Sequence, residues 1–233
     1  MLTLYIANKN YSSWSLRPWV LMQVLGIPFE EEIVPLVEGS CWDEYRRFSP
    51  NGRVPCLHDD NFIVWESLAI VEYLAERHRD VWPKSSQARA WARSATAEMH
   101  AGFSALRNEC PMNCAVRVNL HSISAALQHD LDRLDELWAD GLDRFGGPFL
   151  AGESYSAVDA FFAPVAFRIQ TYRLPLSDTA AVYAGRLLGL DAMRDWYDAA
   201  LGETWRELGH EQEILDSGTI TEDYRSPVSF RPA

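Results

Sequence analysis

Two adjacent hydroxyl side chains, Ser12 and Ser13, are the first residues of the chain that could do chemistry. They follow a short apolar segment, residues 2–6, and precede a segment with helical spacing that begins at Trp14. A turn from a strand into a helix brings free backbone N–H groups, the positive end of the helix dipole and hydroxyl donors to one point. Such a point can hold an anion, although a serine that only caps a helix has the same pattern.

Two later segments place further polar residues next to predicted strands. Residues 51–55 (Asn-Gly-Arg-Val-Pro) lead into a short strand, and residues 66–67 (Glu-Ser) lie between an apolar strand and a helix. This order of elements resembles the glutathione S-transferases over nearly the whole chain. Within that family the serine-type zeta and tau classes are most similar, because a serine stands five residues before an arginine in the first helix, here Ser12 and Arg17.

The resemblance implies that the co-substrate is glutathione, which carries two carboxylates, one ammonium group and a thiol. At its γ-glutamyl end, the carboxylate would be held by the Ser67 hydroxyl and by the N-terminus of the helix after Trp65. Glu66 would hold the ammonium group. The alternative for Glu66 and Ser67 is an ordinary acidic helix cap.

The Val54-Pro55 peptide fits a cis bond, and the resemblance implies that it turns the Val54 backbone toward the cysteinyl part of glutathione. A trans proline at the start of a strand is the alternative. Arg53 stands where relatives often have lysine or glutamine, and it could reach the glycine carboxylate. The alternative for Arg53 is a solvated surface arginine.

Activation of the glutathione thiol is expected to depend on hydrogen bonding and the helix dipole. The ordinary thiol pKa is ~8.5, and lowering it by about two units requires roughly 2.7 kcal/mol of preference for the thiolate. A helix N-terminus contributes about 0.3–1 kcal/mol, and a hydrogen bond to a charged group contributes about 1.5–3 kcal/mol. We therefore expect Ser12 to donate to the thiolate without a base of its own; Ser13 is the alternative donor and Tyr11 a third candidate.

The second substrate is expected between the Ser12 turn and the first helices of the second domain. The residues there form an apolar wall with some polar points; they are His100, Phe103, Arg107 and Met112. For Phe103 we expect core packing. The resemblance implies an apolar electrophile in this pocket. Zeta-type isomerases carry an arginine in the helix that follows Asp159 here, but neither Arg168 nor Arg173 is in clear register with it.

Composition excludes several other classes of function. The 233 residues have 48% hydrophobic content and a net charge of −12, which disfavours nucleic-acid and anionic-membrane partners because both require concentrated positive charge. No long apolar segment or signal peptide is present in the sequence, so we expect a cytoplasmic protein. Four scattered cysteines predict neither a disulfide framework nor a metal site.

Strand and helix patterns alternate up to residue 82 and predict an α/β, thioredoxin-like domain over residues 1–82. Predicted strands occupy residues 2–7, 29–34, 55–57 and 62–65, and predicted helices occupy residues 14–25 and begin again at Ser67. Residues 79–86, in which one proline and two serines interrupt the periodicity, are the predicted linker. The order of these elements predicts a small sandwich of sheet and helices.

Residues 83–218 carry only helical spacing and predict an all-α C-terminal domain. The clearest apolar stripe is Ile123, Leu127, Leu131, Leu134 and Trp138. Ser156 and Asp159 have capping-box spacing, so we interpret Asp159 as structural. Residues 219–233, punctuated by Pro227 and Pro232, predict an extended or poorly ordered tail.

Together these patterns predict a glutathione transferase that activates the thiol of glutathione for addition to small apolar electrophiles. Two alternatives remain open: a non-catalytic carrier or interaction module of the same fold, and a zeta-type maleylacetoacetate isomerase. The resemblance also implies a homodimer. The segment from Trp82 to Trp91 would favour pairing if its tryptophans were exposed.

Overall fold

The computed structural model describes residues 1–36 and 39–225. Its first part has a four-stranded mixed sheet with three helices, and its second part is mostly helical. The strands are β1 (Leu2–Ile6), β2 (Glu30–Ile33), β3 (Cys56–Asp59), β4 (Phe62–Trp65), β5 (Val116–Leu120) and β6 (Gly218–Asp223). The helices are α1 (Ser13–Val24), α2 (Trp42–Tyr45), α3 (Ser67–Ala75), α4 (Ser86–Ala101), α5 (Ser104–Glu109), α6 (Ala125–Phe145), α7 (Ala157–Tyr172), α8 (Asp178–Leu188), α9 (Asp191–Gly202) and α10 (Leu208–Ser217).

The four-stranded sheet has the order β2-β1-β3-β4. β1 runs parallel to β2, with Thr3 opposite Glu30, because α1 provides the crossover between them. β3 pairs antiparallel with β1 and with β4. The sheet and its helices confirm the α/β part of the predicted fold, and the predicted bounds of β1 and α1 differ from the structure by one residue.

The second part confirms the predicted helical domain and adds a feature that the sequence pattern did not predict. β5 and β6 pair antiparallel, with Leu120 opposite Gly218, so residues 219–223 are extended but held in a sheet. Ile123, the first residue of the predicted apolar stripe, precedes α6, because Ser124 caps that helix by accepting from the Leu127 N–H. Pro227 and Pro232 lie outside the described residues.

The Ser156–Asp159 capping box is confirmed at the start of α7. Asp159 is fully buried and accepts hydrogen bonds from the Ser156 and Leu150 N–H groups and from the Tyr183 hydroxyl. Such a carboxylate stabilises the fold, because loss of one of these hydrogen bonds would cost about 1–3 kcal/mol in the free energy of unfolding. These contacts support the structural interpretation of Asp159.

The second ground for a homodimer, exposed tryptophans between Trp82 and Trp91, is not supported by the structure. Trp82 is buried within its own chain, and the Trp91 indole donates to Asp140 on α6. Trp82 therefore stabilises the packing of one chain and is not part of an exposed surface. The division between residues 82 and 83 remains a prediction; α3 ends at Ala75 and α4 begins at Ser86 on either side of it.

The two parts of the chain share one core, in which α1 packs against α7. The turn between β1 and α1 is tied to the helical part by long-range hydrogen bonds. Asn10 accepts from the Cys114 N–H through its backbone and from the Ala115 N–H through its side chain. The turn that carries Ser12 is consequently held from both sides. In the described part of the chain, no helix is long and apolar enough to cross a membrane.

Candidate active site

Two adjoining pockets open between the α/β part and the helical part. The larger cleft has a volume of about 710 Å³, and the smaller pocket has a volume of about 270 Å³. Trp14, Arg53, Val54 and Arg107 line both of them. An extended ligand could therefore lie with one end in the smaller pocket and the other end in the larger cleft.

Ser12 and Ser13 both line the larger cleft at the N-terminus of α1. The helix begins there because the Leu16 N–H makes the first helical hydrogen bond to the Ser12 carbonyl. The Ser12 hydroxyl donates to Ser15 Oγ at 2.7 Å, and Ser15 Oγ accepts from the Ala7 N–H. Ser12 is therefore positioned by a chain of contacts that ends on the sheet.

Tyr11 also lines the larger cleft, but its hydroxyl is occupied. It donates to Glu211 on α10, and the same carboxylate is paired with Arg225. Burial, followed by the bond to Glu211, raises the pKa of Tyr11 well above its ordinary value. A phenol that already donates to a carboxylate is a poor donor to a second anion, so these contacts disfavour Tyr11 as the thiolate donor.

The segment from Asn51 to Pro55 forms the shared edge of the two pockets. The Val54–Pro55 peptide is cis, as predicted from the sequence. Val54 stands outside the β-ladder, which begins at Cys56. Gly52 has a φ of 61°, and a Cβ on it would come within 2.5 Å of the Trp42 ring, so only glycine fits there. Arg53 is exposed at the rim of both pockets.

Glu66 lines the smaller pocket at the start of α3. It has a φ of 70°, an unusual backbone conformation for a residue with a side chain, and its carboxylate accepts from the Asn51 amide at 3.1 Å. Ser67 next to it is fully buried, and its hydroxyl has no hydrogen-bond partner in the described part of the chain. Buried hydroxyls are usually paired, so the Ser67 hydroxyl is open to a further partner.

Arg17 lies behind the cleft and is fully buried. Its guanidinium stacks on the Trp14 ring, with Cζ at 3.9 Å from the ring centroid, and faces Phe161 at 4.9 Å. None of its three side-chain nitrogens has a hydrogen-bond partner among the described residues. Burial lowers the pKa of Arg17 well below its ordinary value, and the charges of Arg168 and Arg107 lower it further.

Two more arginines reach the larger cleft from the helical part. Arg107, on α5, lies with Cζ at 5.3 Å from the Trp14 ring centroid, on which Arg17 also stacks. Arg168, on α7, is almost fully buried, and its Nε donates to the Cys110 carbonyl at 2.8 Å. Burial lowers the pKa of Arg168 to about 10, so it stays protonated at neutral pH. These two arginines bring positive charge to the cleft of a protein whose net charge is −12.

His100 faces the smaller pocket and packs edge-on against Trp14. Burial lowers the pKa of His100, and the positive charges of Arg17 and Arg107 lower it further, against the opposing effect of Glu66. The ring is therefore neutral at pH 7.

The residues proposed for the second substrate separate in the structure. Arg107 and Met112 line the larger cleft, His100 lines the smaller pocket, and Phe103 is buried in the core against Phe162. Sequence reasoning missed three residues that form a wall of the larger cleft: Glu207, which caps α10, and His210 and Glu213 within that helix. Sequence reasoning considered Arg168 only as a counterpart of the zeta-class arginine, with which it is not in clear register.

Cys56, Cys110 and Cys114 are buried in the core, whereas Cys41 is half-buried and lines the larger cleft. Burial raises the pKa of Cys56 to about 11 and the pKa of Cys110 to about 12. Cys114 is fully buried, and its pKa is also raised. Among residues 1–36 and 39–225, no group of three or more His, Cys, Asp or Glu side chains could hold a metal ion.

Comparison with known proteins points to one family. The family model of the glutathione S-transferase N-terminal domain matches residues 11–77, and that of the glutathione S-transferase C-terminal domain matches residues 119–199. Human glutathione S-transferase theta-1 is 30% identical over 199 residues, which are 79% of this chain and 78% of the human protein.

Two other similarities extend the comparison. A probable maleylacetoacetate isomerase of Caenorhabditis elegans is 31% identical over 107 residues, which are 45% of this chain and 49% of that protein. The crystal structure of a Burkholderia glutathione transferase homolog with bound glutathione is similar in fold, with a TM-score of 0.63 and 23% identity. The matched region covers 85% of this chain and 97% of the Burkholderia chain.

Proposed function

The chain belongs to the glutathione S-transferase family, and on this premise we propose that it binds glutathione, holds it as the thiolate and adds it to a small electrophile. One observation carries the proposal: Ser12, Ser13 and Val54 line one cleft, and Val54 and Glu66 line the pocket that adjoins it. The thiol donor, the Val54 backbone and the acceptor for the ammonium group therefore lie along two adjoining pockets that one extended ligand could span.

The γ-glutamyl end of glutathione would occupy the smaller pocket. The Glu66 carboxylate is exposed there and can accept from the ammonium group. The N-terminus of α3 and the unpartnered Ser67 hydroxyl are the donors for the γ-glutamyl carboxylate. Val54, shared by both pockets, would contact the cysteinyl part through its backbone, and the exposed Arg53 would take the glycine carboxylate.

The thiol would then lie in the larger cleft at the N-terminus of α1. We assign the Ser12 hydroxyl as the thiolate donor, because Ser15 holds its oxygen in one place. A hydroxyl has one donor and two acceptor sites, so Ser15 can donate to Ser12 while Ser12 turns its proton toward the sulfur. The hydrogen bond and the helix N-terminus together supply the roughly 2.7 kcal/mol that a shift of about two pKa units needs.

Two alternatives use the same site. A carrier would bind glutathione without forming the thiolate. A zeta-type isomerase would use the thiolate but release glutathione unchanged, and the partial similarity to the Caenorhabditis elegans protein keeps this activity as the second candidate.

The test titrates bound glutathione by its ultraviolet thiolate absorbance and then adds a neutral chloronitrobenzene. We expect the thiol pKa of bound glutathione to fall about two units below ~8.5 and the conjugate to form with loss of free thiol. Binding without a thiolate signal or conjugate would indicate the carrier. In a separate assay with a cis-alkene substrate, conversion to the trans isomer without loss of glutathione would indicate the isomerase.

A further inference from the structure

The cleft holds positive charge that no acidic residue neutralises. Arg17 has no hydrogen-bond partner, and the side-chain hydrogen bonds of Arg107 and Arg168 in the described part of the chain go only to backbone carbonyls. Elsewhere arginines such as Arg77, Arg93 and Arg133 pair with carboxylates. The chain has 33 acidic against 21 basic residues, so a group of arginines without an acidic partner is a local exception.

Buried guanidinium groups without counter-ions are costly. Arg17 and Arg168 are 0% and 3% exposed, and moving an unpaired charge out of water costs several kcal/mol even after relaxation. The three like charges also repel one another, since each guanidinium acts on its neighbours. An anionic group in the cleft would offset both costs.

Arg107 and Arg168 face the larger cleft, where the second substrate of the proposed reaction would lie. They line it together with Ser12, Pro111 and Met112. Pro111 and Met112 can pack against an apolar body, while a guanidinium can bind a carboxylate through two parallel hydrogen bonds.

The two carboxylates of the cleft do not neutralise these arginines. Glu207 accepts from the Gly209 and His210 N–H groups and from the His210 ring, all on its own element. Glu213 lines the cleft from α10 and is exposed, and it forms no ion pair with Arg107 or Arg168. Neither carboxylate removes the need for an anion beside Arg107 and Arg168.

We propose that Arg107 and Arg168 form a carboxylate-binding subsite for the second substrate, so that this enzyme conjugates glutathione to small electrophiles that carry an acidic group. The inference rests on the proposed transferase function and replaces a wholly apolar electrophile by an amphipathic acid. Arg17 lies behind Trp14 and adds positive charge without contacting the ligand.

Glutathione itself offers the same chemistry, because it has two carboxylates of its own. The two sources are distinguishable by position. Arg168 lines only the larger cleft, whereas Glu66 lines only the smaller pocket and Arg53 lies at the shared edge of the two. Loss of a residue that binds the electrophile changes the KM for the electrophile, and loss of a glutathione contact changes the KM for glutathione.

The reaction for the test is an aromatic substitution. The glutathione thiolate attacks the ring carbon that bears chlorine, a C–S bond forms, the C–Cl bond breaks, and chloride leaves with the bonding electron pair. The proton of the thiol has already passed to solvent. No oxidant or reductant is required.

The experiment compares para-chloro-meta-nitrobenzoate with its methyl ester, which lacks the negative charge. The ester group activates the ring more strongly than the carboxylate, so each kcat/KM is divided by the rate constant of the same electrophile with free glutathione thiolate. For the wild-type protein we expect this normalised kcat/KM to be about ten- to a hundredfold higher for the acid than for the ester, the effect of one charge-assisted hydrogen bond. Calorimetry of the chlorine-free nitrobenzoate with glutathione-saturated protein measures the subsite without turnover.

Arg107→Gln is the main variant, because Arg107 is only partly buried and its one side-chain hydrogen bond is long, at 3.4 Å. We expect the acid-to-ester ratio to fall to about one, because only the acid loses a charge-assisted contact. Arg168→Lys keeps the charge but cannot form the two parallel hydrogen bonds of a guanidinium. It should therefore lower the acid-to-ester ratio only in part. Arg79→Gln removes an exposed charge outside both pockets and should keep the wild-type ratio.

The outcomes separate the two proposals. Equal normalised kcat/KM values for acid and ester with the wild-type protein overturn the carboxylate subsite and leave the transferase function intact. A rise in the KM for glutathione with both electrophiles in Arg107→Gln assigns Arg107 to glutathione and also overturns the subsite. If neither electrophile is consumed, the transferase function fails, and calorimetry decides the subsite: nitrobenzoate binding that Arg107→Gln abolishes supports it, and absence of binding rejects it.

Discussion

The Glu203 carboxylate, at the C-terminal end of α9, accepts a hydrogen bond of 2.5 Å from the Lys9 backbone N–H in the turn after β1. Its second oxygen accepts from the Asn10 N–H at 3.1 Å, and Glu203 is only 5% exposed. Burial raises the pKa of Glu203, and the two backbone donors partly offset that effect. One side chain from the far end of the chain thus fixes the turn that carries Tyr11, Ser12 and Ser13.

Glu203→Gln should destabilise the protein and loosen the Ser12 turn. The amide keeps one acceptor but places an NH₂ group against a backbone donor, so we expect a loss of about 1–3 kcal/mol in the free energy of unfolding. We also expect a lower kcat, because the Ser12 hydroxyl is no longer held in place. Urea denaturation and steady-state kinetics measure the two effects, with Glu153→Gln as the exposed control. Unchanged stability and kcat would mean that the turn does not depend on this contact.

Ser12→Ala should lower kcat far more than it weakens glutathione binding, because the hydroxyl acts on the charged thiolate while the ends of the tripeptide are held elsewhere. Loss of this hydrogen bond corresponds to roughly ten- to a hundredfold in rate. Ser13→Ala is the matched variant, since Ser13 lines the same cleft one residue later. If Ser12→Ala leaves kcat unchanged and Ser13→Ala lowers it, the thiolate donor is Ser13.

Ser67→Ala should raise the KM for glutathione by about ten- to a hundredfold with little change in kcat, because its contact is equal in the ground and transition states. The fold should survive, since the Ser67 hydroxyl has no partner to lose in the described part of the chain. Ser94→Ala, on the exposed face of α4, is the control. Normal glutathione binding by Ser67→Ala would exclude this hydroxyl from the site.

Stability should fall with falling pH because of His100. Burial and the charges of Arg17 and Arg107 lower its pKa in the folded state, so below its unfolded pKa of ~6.5 the unfolded chain binds the proton first. The contribution of this neutral histidine is therefore fully present above pH ~6.5 and is lost as the pH decreases toward the folded pKa. His100→Gln should show a shallower decrease in the free energy of unfolding over this range. Parallel curves for the two proteins would contradict the prediction.

A homodimer remains a prediction, and the structure offers a different reason for it. β4 is an edge strand of the sheet, and it exposes Phe62 at 60% and Trp65 at 42%. Burial of these rings against a second copy would favour association. Sedimentation should give twice the 26.5 kDa chain mass, and Trp65→Lys should shift the equilibrium to monomer. Val182→Lys, at an exposed position of α8, is the control and should stay dimeric. A monomeric wild-type protein at micromolar concentration would contradict the prediction.

Several features of the protein depended only on neighbouring residues, and the sequence predicted them. Alternating and helical spacing predicted the four strands of the sheet and α1, α3 and α6, because side-chain periodicity records which face of an element is buried. The Ser156–Asp159 capping box was predictable because it involves residues three positions apart. The cis Val54–Pro55 peptide was expected only through the family resemblance, since a trans proline is the default at the start of a strand.

Tertiary structure alone decided what lies around Ser12. The partner of Tyr11 is Glu211, 200 residues away, and the turn is held by Glu203, 194 residues from Lys9. The wall of the cleft formed by α10 and the pairing of β5 with β6 likewise join distant segments. No local pattern encodes such contacts, because they depend on where the whole chain packs. Arg168 is the clearest case: in sequence it was one arginine on a helix, and only the packing of α7 against α1 brought it to the cleft beside Arg107.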